Sequence, residues 1–317
     1  MLTLTLATTI HIGVLGSFHP TELSIRPAGK SELMVERGGR TEILRAPESM
    51  HLSDAAKITG PKGSYARFII CLPNGAEGEY YGRLEVRQHY YELQLIVEMD
   101  RELAVASVLA AEGAGALPPE ALRAQAIVAR SYMLAIGGRH AGFDMCDTTH
   151  CQRFGPPPAA TSAVAKAALA TKGQVLTYRG KIVPAMYSAN CGGHTRPFPA
   201  NDGPSGYAFT SVACPRHGHA SGHGVGLCQL GAQDMAKSGA KASTILAHYF
   251  PGTQVANRGS AAPPPTVLPT EWRPKSPARS RETLRGPSAD KGVPEASSAP
   301  GKFVPPASHA PAHAATS

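Results

Sequence analysis

No stretch of the 317-residue chain holds the roughly 18 consecutive apolar residues that a membrane-spanning helix requires, so no transmembrane segment is expected. The 33 glycines follow no three-residue period, which excludes a collagen-like rod. Cysteine is scarce. Six in a chain of this length cannot form the disulfide framework of a small secreted domain. The first residues, Met1-Leu2-Thr3-Leu4-Thr5-Leu6-Ala7, lack the basic start of a secretory signal, and no clear cleavage site follows. They read better as a first strand running into Ile10-His11-Ile12-Gly13-Val14-Leu15.

The formal charge of +8 would suit a polyanionic partner, but its location matters more than its size. From residue 256 the chain turns to Pro, Ala and Ser without hydrophobic periodicity, and 256–317 reads as a disordered tail. The tail carries eight basic and four acidic side chains, so half of the net charge lies on it. Residues 1–255 are only mildly basic, and nucleic acid is not an expected partner.

Residues 1–98 read mostly as β-strands, with 21–25, 32–36, 67–72 and the antiparallel pair 83–87 and 92–98 as examples. The period then becomes helical. One helix is expected over 101–112, stopped by Gly113, and a second follows Pro118-Pro119 with Leu122, Ala126, Ala129 and Met133 on one face. A third covers 159–171, and 174–178 with 182–187 reads as a hairpin. Short helices over 227–238 and 243–249 follow a glycine-rich loop. Strands first and helices later predict an α+β fold: an antiparallel β region, then a helical core with a hairpin and a terminal helix pair.

Four stretches bear chemistry. Glu112 closes the first helix among small apolar residues, where the helix dipole and the neighbours both disfavour a carboxylate; its pKa is expected to rise, as a general acid requires. The alternative is an exposed glutamate at a helix end. His140, Cys146, His150 and Cys151 offer four donors within twelve residues, enough for a tetrahedral structural zinc site. A Cys146–Cys151 disulfide or free thiols fit the spacing equally. Cys191, beside Gly192-Gly193-His194-Thr195, is followed by Cys214, and either a disulfide outside the cytoplasm or buried thiols would suit them. The stretch from Ser221 to Ala232 alternates glycines before a helix, which lets a ligand approach the backbone, but no Gly-Lys-Ser/Thr follows and a phosphate loop is excluded. His217, His219 and His223 offer either a second metal cluster or a mobile polar loop. Cys71 reads as a core thiol.

Taken in order, these segments resemble the stage II sporulation protein D family, which includes amidase enhancers of bacterial cell walls. The resemblance rests on Glu112 eight residues before Glu120-Ala121-Leu122-Arg123-Ala124-Gln125-Ala126, then Ala129-Arg130-Ser131-Tyr132 and Cys146-Asp147-Thr148-Thr149-His150-Cys151-Gln152. Asn190-Cys191-Gly192-Gly193-His194-Thr195 and Gly222-His223-Gly224-Val225-Gly226-Leu227-Cys228-Gln229-Leu230-Gly231-Ala232 complete it. The resemblance implies a lytic transglycosylase of peptidoglycan glycan strands in the cell envelope, outside the cytoplasm. Glu112 would be its catalytic acid and Arg130 its support, pairing with Glu112 or with substrate. Arg123, Tyr187, His194, His223 and Gln229 would line the glycan groove. Zinc on His140, Cys146, His150 and Cys151 would be structural. The family pattern carries a longer stretch than the 27 residues of 196–222 found here. That shortening favours a second expectation, a non-catalytic glycan-binding protein that stimulates a cell-wall amidase.

Overall fold

Period-two alternation of apolar side chains builds a ten-stranded sheet in the computed structural model, which describes residues 9–198 and 205–257. The expectations for 1–8 and for the chain beyond 257 lie outside the described residues. The strands are β1 (Thr9–Val14), β2 (Leu23–Pro27), β3 (Glu32–Arg37), β4 (Arg40–Arg45), β5 (Met50–Leu52), β6 (Ala56–Thr59), β7 (Ala66–Cys71), β8 (Glu77–His89), β9 (Glu92–Asp100) and a two-residue β10 (Met145–Cys146). Pairing is antiparallel except where β1 and β10 run parallel, Gly13 against Cys146. The long β8 switches neighbours along its length. Its first half pairs with β7, while its second half pairs with β9 and β6. Ile12, Leu23, Ile25, Leu33, Val35, Ile58, Phe68 and Ile70 point inward with no measurable exposure.

Three helices continue this core. In α1 (Arg101–Ala111), the Asp100 carboxylate caps the N-terminus by accepting from the Glu102 and Leu103 amides. Gly113, at φ 72°, takes the left-handed conformation that ends the helix, as its position predicted. In α2 (Pro119–Ala135), Leu122, Ala126, Ala129 and Met133 pack on the sheet side, the expected face. The opposite face is buried too: Ala121, Ala124, Ile127 and Val128 join a second core with α4 (Gln229–Lys237) and α5 (Ala242–Tyr249). α2 is therefore sandwiched between two cores, which its many alanines permit by letting neighbours approach closely.

Several boundaries differ from expectation. α3 spans Ala163–Ala170 rather than 159–171, because the three prolines before it hold the chain extended and Ser162 caps it by accepting from the Ala165 amide. The hairpin is shorter: β11 (Gln174–Tyr178) pairs with only β12 (Lys181–Ile182), and Pro184 ends the ladder. Tyr187 and Ser188 form β13 (Tyr187–Ser188), which pairs in parallel with β14 (Leu227–Cys228), so the helix expected from 227 begins at Gln229. The other edge of β11 carries β15 (Gln254–Asn257), antiparallel. Residues 256 and 257, assigned above to the tail, belong to this strand. The result is a mixed α/β molecule with five helices and mainly antiparallel sheets among the described residues.

Candidate active site

Glu112 is the C-cap residue of α1, its amide still bonded to the Val108 carbonyl at 2.9 Å. The glycine after it turns the chain away and leaves the side chain half-buried at the helix end. Its Oε1 accepts the Arg153 backbone N–H at 2.9 Å, and its backbone carbonyl accepts from Gln229 Nε2 at 3.4 Å. Tyr187 is on β13, and its hydroxyl lies near the Glu112 carboxylate. Burial first, and the Glu112 charge second, hold the Tyr187 phenol well above its usual range, so it stays protonated.

Gln152 fixes where that phenol points. Its buried Nε2 donates to the Ala129 carbonyl at 3.2 Å, which turns Oε1 toward Tyr187, and the hydroxyl donates to it at 3.0 Å. Gln152 closes the Cys146–Gln152 motif but was given no role there, and Arg153 did not stand out in the sequence. Both come straight after Cys151, and that adjacency is the signal that links the candidate ligand loop to Glu112.

Arg130 does not reach Glu112. Its side chain has zero exposure and binds Glu102 through two nitrogens, Nε to Oε1 at 3.1 Å and Nη2 to Oε2. The remaining N–H groups donate to the carbonyls of Ala168 and Gln174, each at 3.0 Å, and to the Thr171 hydroxyl. The expected pairing with Glu112 is thus corrected: Glu102, in the first turn of α1, is favoured there by the helix dipole and is the carboxylate within reach. Arg130 joins α1, α2, α3 and β11 beneath the site.

The other expected groove residues divide. Gln229 touches Glu112, as above. His223 Nδ1 accepts the Val225 N–H at 3.0 Å, and burial lowers its pKa, so the ring is neutral with its proton on Nε2. Arg123 is engaged elsewhere, paired with Glu120, whose other oxygen accepts the Ala242 amide at 2.9 Å and so caps α5. His194 is exposed and forms a bridge with Ala213. Gly226, at φ 77°, allows the strand pairing: a Cβ there would lie 2.1 Å from the Met186 carbonyl oxygen.

His140, Cys146, His150 and Cys151 converge, with one donor atom from each within 4.8 Å of all the others. His140 Nε2 lies 3.1 Å from Cys151 Sγ, and His150 Nδ1 lies 3.6 and 3.7 Å from the two sulfurs. A zinc tetrahedron with ordinary bond lengths has ligand–ligand edges of about 3.3–3.8 Å, so the donor set fits such an ion. Hydrogen bonding between the two sulfurs lowers the Cys146 thiol, with His140 and Thr148 adding to it, and raises that of Cys151. Asp147 anchors the loop, its carboxylate accepting from the Leu15 amide at 2.8 Å.

No disulfide joins Cys191 to Cys214, nor Cys146 to Cys151; all six cysteines are free. Cys191 and Cys214 are instead grouped with Cys228. His217, His219 and His223 are not among the groups of metal-binding side chains formed by the described residues.

Comparison with known proteins agrees with the motifs between Glu112 and Gln152. Residues 89–178 match the family model SpoIID, stage II sporulation protein. The matched segment holds Glu112, Arg130 and all four candidate ligands, but ends before Tyr187, His223 and Gln229. An uncharacterized protein of Brachyspira hyodysenteriae is similar at 33% identity over 120 residues, 37% of this chain and 33% of that protein. The chain thus spans about a third of the length of the curated relative it matches.

Proposed function

We propose, with the SpoIID match of residues 89–178 as premise, that this protein acts on the bacterial cell wall as a peptidoglycan lytic transglycosylase. The observation that carries the reading is the position of Glu112, a half-buried carboxylate at a helix end, held through one oxygen by the Arg153 amide and faced by the Tyr187 phenol. The substrate would be glycan strands, preferably without stem peptides.

In this reaction the protonated Glu112 donates to the oxygen of the β-1,4 bond that follows N-acetylmuramic acid, and the C1–O bond breaks through an oxocarbenium-like transition state. The resulting carboxylate takes the proton from the C6 hydroxyl of the same sugar, whose oxygen then closes on C1 as a 1,6-anhydro ring. One carboxylate performs both transfers and ends protonated as it began. The Arg153 N–H holds one oxygen, which leaves the other to carry the proton. Tyr187, oriented by Gln152, contributes a neutral hydroxyl beside it. Gln229 steadies the helix end through the Glu112 carbonyl. Arg130 is a positioning residue that holds the base of α1 through Glu102.

Zinc on His140, Cys146, His150 and Cys151 would cross-link the loop before Gln152 and Arg153 to β1 through β10. Four protein donors leave no coordination position for water, so the ion would serve structure.

A second reading, a non-catalytic glycan-binding protein that stimulates an amidase, is favoured by the short 196–222 segment. Incubating the full chain with amidase-treated peptidoglycan and analysing the soluble products separates the two. Anhydro-disaccharides support the lyase. Glycan binding without them, together with faster amidase turnover, supports the second reading.

A further inference from the structure

Cys191, Cys214 and Cys228 lie outside the metal cluster already described, and all three are buried with their sulfurs within 4.8 Å of one another. We propose that they form a second metal centre, a three-thiolate site for a thiophilic d10 ion, Zn2+ or Cu+.

The three arrive from separate segments: Cys191 follows β13, Cys214 lies in the loop after Thr195, and Cys228 ends β14 as the N-cap of α4. Donors and acceptors both converge on the sulfurs. Cys228 Sγ accepts the backbone N–H groups of Cys191 at 3.4 Å and Gly231 at 3.3 Å, at the N-terminus of a nine-residue helix. Cys214 Sγ lies 3.2 Å from the Tyr249 hydroxyl. Cys228 Sγ also lies 3.8 Å from the Ala189 carbonyl and 3.9 Å from Asn190 Oδ1, acceptors for its S–H until a metal displaces the proton. The surroundings, however, are apolar, with Val225, Leu227, Ile245 and Phe250 in the same core, and no lysine or arginine side chain hydrogen-bonds to the sulfurs among the described residues. Three sulfurs this close in an apolar core can exchange their protons for one cation, which balances the buried thiolate charge that forms. Thiolates select soft ions, which are the class named here.

Gly231 supplies a separate observation. A Cβ at this position would stand 2.3 Å from Cys214 Sγ and 2.1 Å from the Tyr249 hydroxyl, so only glycine admits the sulfur over the backbone. A disulfide between any two of the three would leave the third sulfur in the same pocket without a covalent partner, whereas one ion engages all three. On binding, three S–H bonds break, three sulfur–metal bonds form, and the protons leave to solvent. The centre would pin residues 205–222, already tied by the Cys214 amide to the Gly193 carbonyl at 2.8 Å, onto the helix that presents Gln229.

Native mass spectrometry of the full chain, reduced and loaded anaerobically with Zn2+ or with Cu+ in separate arms, tests the assignment. Wild type is expected to carry two ions, and Cys228→Ser, which keeps an acceptor at the helix cap, one. Cys146→Ser should also carry one, lost from the other centre. The arm in which Cys228→Ser loses its ion identifies the metal. Equal loading of wild type and Cys228→Ser in both arms overturns the proposal, as does uptake of one ion by wild type that only Cys146→Ser abolishes. Should Cys228→Ser fail to fold, alkylation mapping of wild type decides: loading must slow modification of all three cysteines together, and unchanged rates overturn the site.

Discussion

Arg130 grips Glu102 at the N-terminal end of the same helix whose C-terminal end presents Glu112, so the two residues act on opposite ends of α1. The guanidinium is wholly buried and saturated by carboxylate, carbonyl and hydroxyl acceptors, with no donor left for a substrate. Arg130→Met should therefore destabilise the protein by about 3–5 kcal/mol, since it strands a buried carboxylate. Urea unfolding measures this. A loss of turnover at unchanged stability would instead mean that Arg130 meets the substrate.

Tyr187→Phe removes the proton that Tyr187 directs at Gln152 Oε1. The buried amide oxygen is left without that donor, at a cost of about 1–3 kcal/mol. Tyr187→Phe should lower kcat more than it raises KM, because its oxygen stands beside the carboxylate that transfers protons. An unchanged kcat with intact binding would place Tyr187 in the fold alone.

Glu120 caps α5 across α2, and its pKa is lowered first by the Ala242 amide and then by the charges of Arg123 and Lys241. A depressed carboxylate stabilises above its unfolded pKa and loses that contribution as pH falls through the folded, lower value. Glu120→Gln should thus be less stable than wild type by about 1 kcal/mol near neutrality, the worth of a helix cap. The gap should close as pH drops below the ordinary carboxylate range. Denaturant midpoints of both proteins across that range check the sign, and a gap that widens in acid would contradict it.

Much of this was legible in the sequence and some was not, for physical reasons. Helical spacing exposed the inner face of α2, and Gly113 marked the end of α1, because both signals are local. The second buried face of α2 was hidden because alanine reads as neutral in a periodic pattern. The Arg130–Glu102 pair spans 28 residues and the Tyr187–Gln152 bond 35, and no local rule selects such partners. The strand expected through 187 failed because Pro184 stops the ladder and residue 187 finds a parallel partner forty positions on, Leu227. The four metal-ligand candidates were visible because they lie within twelve residues, whereas Cys228 was read with the glycine loop until the fold set it beside Cys191 and Cys214.

Gly226→Ala should disturb the site from outside it. The added Cβ meets the Met186 carbonyl oxygen at 2.1 Å, on backbone that cannot move without breaking the pairing of β13 with β14. We expect a loss of about 1–3 kcal/mol from overpacking and a drop in activity through displaced Tyr187 and Gln229. Thermal unfolding and turnover should fall together, and wild-type values for both would contradict the account.

Chelation gives a third handle on the His140, Cys146, His150 and Cys151 cluster. If its ion serves structure, removing it should lower the unfolding midpoint, and activity should vanish only where the fold does. Loss of activity with the fold intact would point to metal chemistry instead.

On the reading proposed above, Glu112 carries the protons. Wild type and Glu112→Gln, each first shown to fold, are incubated with glycan strands stripped of stem peptides, and products are read by mass spectrometry. General acid–base catalysis is worth about 100- to 10,000-fold, so 1,6-anhydro-N-acetylmuramic acid ends should accumulate with wild type and fall by that factor in the variant. Equal yields from the two proteins, or no anhydro product from wild type, would contradict the account.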